Sequence, residues 1–371
     1  MRIAIDAKSF YTGPVSTRII LKNLIPQLVK LFPDINWIIF LDKKDKSLDF
    51  PCKEKNVHLQ YIWADINQVS NLFVLPRFLK RHKVDLIIYQ MFPSITSSTP
   101  SITFIHDVLF RDFPEFFTWK EKLYFFPISF LTRRVNRLMA TTEFVAGDLV
   151  KYNYVSDRSM IDIVPLGVSA NFKPVEQHSS LFLESVAKSL QLPDRFLLFV
   201  GRLNVRKNLE NLLKAVALLK DKQVPLVIVG KAEWKAPELK NLISNPIFRK
   251  RIIMLENIND QELPAVYALS TLFCFPSFAE GFGLPPLEAM ASGVPVIVSN
   301  TTSLPEVCGD AAIYVDPHQP TAIAFAIDSL LGDSTLYSEK KSAGIERAKH
   351  FTWKKTALAF MNSVNKALLQ S

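Results

Sequence analysis

Leu272-Phe273-Cys274-Phe275 leads through Pro276-Ser277-Phe278-Ala279-Glu280-Gly281-Phe282-Gly283 into Leu284-Pro285-Pro286-Leu287-Glu288-Ala289-Met290-Ala291-Ser292, and Gly293-Val294-Pro295 closes the run. A short apolar run bounded by turn residues reads as a buried strand. Gly281 and Gly283 let the backbone of the following turn come close to a ligand. Pro285 suits the opening of a helix, whose first N–H groups need no partner. Gly293 ends that helix and Pro295 stops its continuation. Glu288 is expected in its first turn, where a carboxylate favours the dipole. The N–H groups around Phe282–Leu284 then face any anion at the end of the strand. A glycine-rich connection with a capping acid is the structural alternative.

The same order occurs at Val200-Gly201-Arg202-Leu203-Asn204-Val205-Arg206-Lys207-Asn208-Leu209, where Arg202 and Lys207 flank a strand-to-helix turn. Both could neutralise a diphosphate, Arg202 through a bidentate fork. Outward from these two turns, apolar runs alternate with helical patterns along the chain. Strands are expected at 3–6, 37–41, 57–59, 86–89, 102–105, 138–142 and 161–165. After a polar stretch they resume at 196–200, 226–229, 252–255, 272–275, 294–298 and 313–315. Helical spacing runs from Ile19 to Leu31 and from Trp353 to Leu369. Strand-helix-strand units imply parallel sheets, so the fold class is α/β with two doubly wound halves. Ligands in such sheets sit at the carboxyl ends of strands.

Composition limits the choices. With 371 residues, 49% of them hydrophobic, the chain is long enough for about two cores. Cys52, Cys274 and Cys308 lack the number and spacing of a disulfide scaffold or a zinc site, and fit a reducing compartment. The start, Met1–Asp6, lacks the apolar core of a signal peptide. No apolar run reaches the length of a membrane span. The formal charge of +9 suits anionic partners, but the cations form no helix or aromatic platform of a nucleic-acid reader, so no nucleic acid is expected.

Glu280 and Glu288, with seven residues between them in E-G-F-G-L-P-P-L-E-A-M-A-S-G-V-P, resemble the E-x7-E signature of the family 4 glycosyltransferases. Gly201–Lys207 is similar to that family's G-R…K-N element, and Val164-Pro165-Leu166-Gly167-Val168 to its interdomain V-P-N-G-V. The resemblance extends over essentially the whole chain and is looser before Pro165. It implies the GT-B fold, two Rossmann-like domains with parallel sheets facing a cleft. The expected division is an acceptor-side domain at 1–165, a linker at 166–192, a donor domain at 193–352, and a C-terminal helix at 353–371 returning to the first domain. It also implies a retaining enzyme using a nucleotide diphosphate sugar as co-substrate, with no cofactor and no metal. Arg202 and Lys207 would hold the diphosphate. Glu280 would stabilise positive character at the anomeric carbon. Glu288 would accept from the ribose hydroxyls. The N–H groups of Phe282, Gly283 and Leu284 would contact sugar or phosphate, and Asn257 and Ile258 would line the base pocket. His106, at the end of the 102–105 strand, would stand near donor sugar and acceptor, although a lone His there is commonly a structural hydrogen-bonder.

The chain departs from the family pattern in three places. Ser16 and Arg18 stand where many relatives have a G-x-G, Glu256 replaces a Gly in the base-binding segment, and Leu166 replaces the linker Asn. The first two motivate an alternative, a GT-B binding or regulatory protein with degenerate activity. Intact Arg202, Lys207, Glu280 and Glu288 weigh against it. A sugar-nucleotide epimerase or a phosphorylase are further rivals, the latter without a lysine-cofactor signature. Trp119 to Arg137 mixes aromatics with cations, a face suited either to an anionic bilayer or to an ordinary helix with a basic outer side. The acceptor is expected to be a glycan or lipid-linked glycan in cell-surface polysaccharide assembly. Hexosyl transfer, mannosyl by analogy, is the expected chemistry, at a cytoplasmic site with peripheral contact to the membrane.

Overall fold

The computed structural model describes residues 1–63, 66–231 and 251–370. The chain divides into two compact units, Met1–Gly167 together with Trp353–Ser371, and Val168–Thr352.

Among the described residues the first unit holds strands β1 (Arg2–Asp6), β2 (Asn36–Asp42), β3 (Val57–Ile62), β4 (Leu86–Gln90), β5 (Ser101–Ile105), β6 (Arg137–Ala140) and β7 (Ile161–Ile163). They form one parallel sheet in the order β3-β2-β1-β4-β5-β6-β7. Strands buried on both faces must be apolar throughout. β4 and β5 are buried at every position, and β1 at all but its first residue. The expected strand 138–142 stops at Ala140, because Thr142 leaves the sheet to cap the helix Glu143–Lys151, its side chain accepting from the Val145 N–H. The aromatic segment breaks into helices Trp119–Phe125 and Ile128–Leu131 around Pro127. A capping box of Thr118 and Glu121 starts the first of these. The helix Trp353–Leu369 belongs to this unit. Its Ser363 and Lys366 reach Asp162, whose carboxylate also pairs with the buried Arg137.

The second unit holds β8 (Leu197–Val200), β9 (Leu226–Val229), β10 (Ile252–Leu255), β11 (Leu272–Phe275), β12 (Val296–Ser299) and β13 (Ala312–Val315), all parallel, in the order β10-β9-β8-β11-β12-β13. Residues 168–192, expected as linker, lie within this unit and include the helix Ser180–Ser189, which buries Leu183 and Val186. Each sheet reverses its winding once. The chain moves outward from β1 to β3 and returns to β4, and likewise from β8 to β10 and back to β11. Loops leave in opposite directions at such a switch and open a crevice at the carboxyl edge. The turns after β8 and β11 flank the crevice of the second sheet.

Candidate functional site

Because all six strands of the second sheet are parallel, the turns after them gather on one edge. Backbone packing there is close. A Cβ built on Gly230, after β9, would lie 1.9 Å from the Gly201 carbonyl oxygen, after β8, so position 230 admits no side chain without movement of the main chain. After β8, Val205–Lys207 form a single 3-10 turn, with the Asn204 side chain accepting from the Lys207 N–H. Asn208 follows in the left-handed conformation, φ 56°, which an Asn tolerates better than most residues. Its Nδ2 donates to the carbonyls of Pro276, at 2.8 Å, and Pro317, at 2.6 Å. One side chain thus ties the turn after β8 to those after β11 and β13. The Phe278 N–H donates to the Arg206 carbonyl at 2.9 Å, a second tie between the first two.

These ties bring Lys207 and Glu280 together. Lys207 Nζ donates to Glu280 Oε1 at 2.7 Å, and both side chains are about nine-tenths buried. The ammonium also lies 4.8 Å from the centre of the Phe275 ring. Arg206 Nη1 stands 3.1 Å from Glu280 Oε2, and its guanidinium also donates to the Ala279 carbonyl. Ser277 Oγ donates to Glu280 Oε1. Burial by itself would raise the Glu280 carboxyl. The charges of Arg206 and Lys207, with the hydrogen bonds from Lys207 and Ser277, outweigh it and hold the group down at about 2. Arg202, expected beside Lys207, is exposed on the same turn.

Downstream, Ser303 Oγ donates to the carbonyls of Glu280, at 2.8 Å, and Phe282, at 2.9 Å, and the Glu280 N–H donates to Thr302 Oγ1 at 3.0 Å. Phe282 is buried. Gly283 has φ 111° and is the N-cap of the helix Leu284–Ala291, with no side chain capping it. A Cβ there would also come within 2.7 Å of Leu304 Cδ2. Pro285 and Pro286 carry no N–H, so the Leu284 N–H is what the uncapped first turn offers an anionic or hydroxyl ligand.

Glu288 is not in the first turn of that helix. The helix begins at Leu284, directly after the glycine, so Glu288 is its fifth residue and the first turn carries no acid. Its role is therefore not dipole compensation. Its carboxylate is buried and accepts from Tyr267 Oη at 2.9 Å. Burial pushes its carboxyl up to about 7, and the Asp260 charge adds to the rise against the Tyr267 hydrogen bond. That charge comes from the turn after β10. There Asn257, with φ 59°, is exposed beside Glu256, and Ile258 is half-buried. Glu280 thus sits among cations and Glu288 within reach of the Asp260 charge.

In the first unit, His106 follows β5 and is half-buried. Its Nε2 lies 3.1 Å from Gln90 Oε1, at the end of β4, and its N–H donates to Met91 Sδ. With Nε2 as the donor, Nδ1 is an acceptor that has no partner. Burial lowers the imidazole to about 4, so the ring is neutral above that pH. Asp107 caps the next turn through the Leu109 N–H. Beside them, Asp6 and Asn71 both bond the buried Lys8, and Asn71 also donates to the Phe92 carbonyl. Ser16 is exposed and Arg18 half-buried near the start of the helix Val15–Leu31, which no side chain caps.

Sequence reasoning did not assign Arg206, Tyr267, Thr302 or Ser303 to the site. The adjacency Arg206-Lys207 was a signal for the first, since a 3-10 turn can aim neighbouring side chains at one carboxylate. Tyr267 lies on a helix buried throughout its middle, and no local pattern marks it.

Residues 184–351, most of the second unit, match the family model described as Glycosyl transferases group 1. The second unit thus carries a domain of that description. The chain is 34% identical over 231 residues to the O-antigen chain mannosyltransferase B of Escherichia coli, covering 61% of this chain and 59% of that protein. It is 32% identical over 229 residues to the serotype-specific mannosyltransferase WbdA of Escherichia coli, covering 60% of this chain and 28% of that protein. The chain therefore spans less than two thirds of the length of these curated relatives. The solved sucrose-phosphate synthase of Thermosynechococcus elongatus matches over 100% of both chains with a TM-score of 0.78 at 17% identity. With its two parallel sheets, the protein has the GT-B fold.

Proposed function

We propose that the chain is a retaining glycosyltransferase of family 4 that moves a hexose, mannose by analogy with its relatives, from a nucleotide diphosphate sugar to an acceptor hydroxyl. The observation that carries this is the buried Lys207–Glu280 pair at the switch crevice of the second sheet, inside the stretch matching the glycosyltransferase family model. A buried cation beside a carboxylate and an uncapped helix start suits a ligand with an anionic diphosphate and a carbon that becomes positive during reaction.

In this mechanism the diphosphate docks on Lys207 and Arg202, which supply the charge neutralisation that a metal supplies elsewhere. Asn257 and Ile258 line the base, and Glu288 accepts from the ribose hydroxyls. The N–H groups of Phe282, Gly283 and Leu284 hold sugar and phosphate. The bond from the anomeric carbon to the phosphate oxygen breaks while Glu280, ionised at neutral pH, stabilises the developing positive charge. The acceptor oxygen bonds to that carbon on the face the phosphate leaves, and its proton passes to the departing phosphate. The nucleoside diphosphate departs and the anomeric configuration is kept. His106, neutral and with a buried Nδ1 that has no partner, is assigned to a sugar hydroxyl in the first unit.

The acceptor is a cell-surface polysaccharide or glycolipid precursor presented at the cytoplasmic face of a membrane. Support comes from an exposed apolar face on the two helices around Pro127. Trp119 is 69% exposed, Leu123 and Phe126 are each 65%, and Lys120, Arg133 and Arg134 are exposed around them. Such a surface lies on an anionic bilayer at the headgroup level. Among the described residues no helix is long and apolar enough to cross a membrane.

The test is transfer of labelled sugar from GDP-mannose, UDP-glucose and other donors into a lipid extract, with the product anomer read by NMR. Incorporation with the donor's configuration is the expected result. Donor binding without transfer to any acceptor would instead support the binding or regulatory protein.

A further inference from the structure

At the amino ends of β1, β2 and β3, the edge of the first sheet opposite His106, a cavity of about 280 Å³ is lined by Arg2, Asn36, Ile38, His58, Arg81 and His82. Its floor, Ile38, is buried, while Arg2, His58 and Arg81 are exposed and His82 is half-buried. These cationic and protonatable groups reach it from separate segments, two strands and the end of the helix Leu75–Arg81. A basic residue in the last turn of a helix suits its carbonyl end, which accounts for Arg81. It does not account for Arg2 and His58, which come from strands. Convergence of like charges costs energy unless an anion offsets it. Arg2 donates from Nη1 to the His82 carbonyl at 2.9 Å and from its main-chain N–H to Asp85 Oδ2 at 2.7 Å, so both Arg2 and the nearby carboxylate are held in place. His58 Nε2 lies 3.4 Å from Asn36 Oδ1. Burial lowers His82, and the charges of Arg81, Arg2 and His58 lower it further, as expected of groups facing one another.

We infer that this cavity is an anion site for a phosphate-bearing ligand, separate from the donor-binding edge of the second unit. Arg81 and Arg2 supply the charge, and the two imidazoles add donors. The volume is at the small end for ligand pockets and fits a phosphate or diphosphate group better than a whole nucleotide. That chemistry has two sources, a free phosphate compound or the headgroup of an acidic phospholipid.

The experiment follows the ring signals of the six histidines by NMR in the full chain carrying Lys207→Ala, which weakens the donor site. His58→Gln and His82→Gln assign the two rings. Inorganic pyrophosphate is titrated at physiological salt, where loose surface attraction is screened. In a second arm, phosphatidylcholine vesicles with and without phosphatidic acid are added. The expected result is a saturable shift of both rings with pyrophosphate, with phosphatidic acid vesicles, or with both. Arg81→Ala should weaken that response about tenfold, the effect of losing one charge-assisted contact. In the chain with Lys207 intact, Arg81→Ala should leave sugar-nucleotide affinity unchanged. A response in the first arm alone identifies a free phosphate ligand, and in the second alone a lipid headgroup. Rings that respond to neither, or a response that Arg81→Ala leaves intact, overturn the inference.

Discussion

Glu280 accepts from Lys207 at 2.7 Å through one carboxylate oxygen and faces Arg206 at 3.1 Å through the other, so one buried acid is shared by two consecutive cations. Removing one partner of a buried pair typically costs about 3–5 kcal/mol because the survivor is left uncompensated. In Lys207→Ala, Arg206 still pairs the carboxylate, so the loss should fall below that range. Glu280→Ala leaves two cations side by side and should destabilise more. The order of melting temperatures, wild type above Lys207→Ala above Glu280→Ala, checks this. Both variants should lose about a hundredfold or more in kcat, the scale of losing an electrostatic contact at a reacting centre.

Glu288 should govern nucleotide affinity and its pH dependence. Its carboxyl lies at about 7, and only the ionised form accepts from two hydroxyls. Affinity should therefore rise as pH increases through 7, and Glu288→Gln should bind weakly at every pH without that rise. The stability effect has the opposite sign. A carboxyl raised on folding binds more protons in the native state, so its contribution falls as pH climbs from the unfolded value towards 7. Binding calorimetry across pH 7 reads the first effect, and melting temperature followed from the ordinary carboxyl value up to about 7 reads the second.

Gly230→Ala should damage the proposed donor site. The new Cβ would have to displace the Gly201 backbone, which leads directly into Arg202. Overpacking of this kind costs about 1–3 kcal/mol. The expected readout is a lower melting temperature together with weaker sugar-nucleotide binding, measured on the same preparation.

His106 should not titrate in the neutral range. Burial holds its ring at about 4. Its contribution to stability is therefore present above the ordinary histidine value and lost as pH falls from there towards 4. An NMR titration giving a His106 midpoint near 6.5 would contradict this placement.

Trp119→Ser with Phe126→Ser should abolish sedimentation with vesicles containing phosphatidylglycerol and spare donor binding, since both side chains lie on the surface. Sedimentation at the wild-type level would remove the aromatic face from the account.

Much of this architecture was legible because parallel strands buried on both faces are continuous apolar runs, as at Leu86–Gln90 and Leu272–Phe275. The turns at Gly201 and Gly283 were legible because a glycine follows each apolar run, and at Gly283 a φ of 111° and a Cβ position 2.7 Å from Leu304 Cδ2 require one. What stayed hidden depends on tertiary closure. Glu288 was expected in a first turn because the sequence does not show where a helix starts when its cap is a glycine without a side-chain bond. The pairing of Tyr267 with Glu288 joins residues 21 apart. The anionic-ligand cavity joins Arg2, His58 and Arg81, which no window along the chain contains. Residues 166–192 read as linker because their polar composition masks the few apolar side chains that dock the helix Ser180–Ser189.

The most direct test of the central claim is thermal shift of the wild type and Lys207→Ala against UDP-, GDP-, ADP- and dTDP-sugars. A ligand at about one hundred times its Kd adds about 2.7 kcal/mol to native stability. The account predicts a clear rise in melting temperature with one nucleotide for the wild type and a much smaller one for Lys207→Ala. Folded wild-type protein that no sugar nucleotide stabilises, or equal shifts in both proteins, would contradict it.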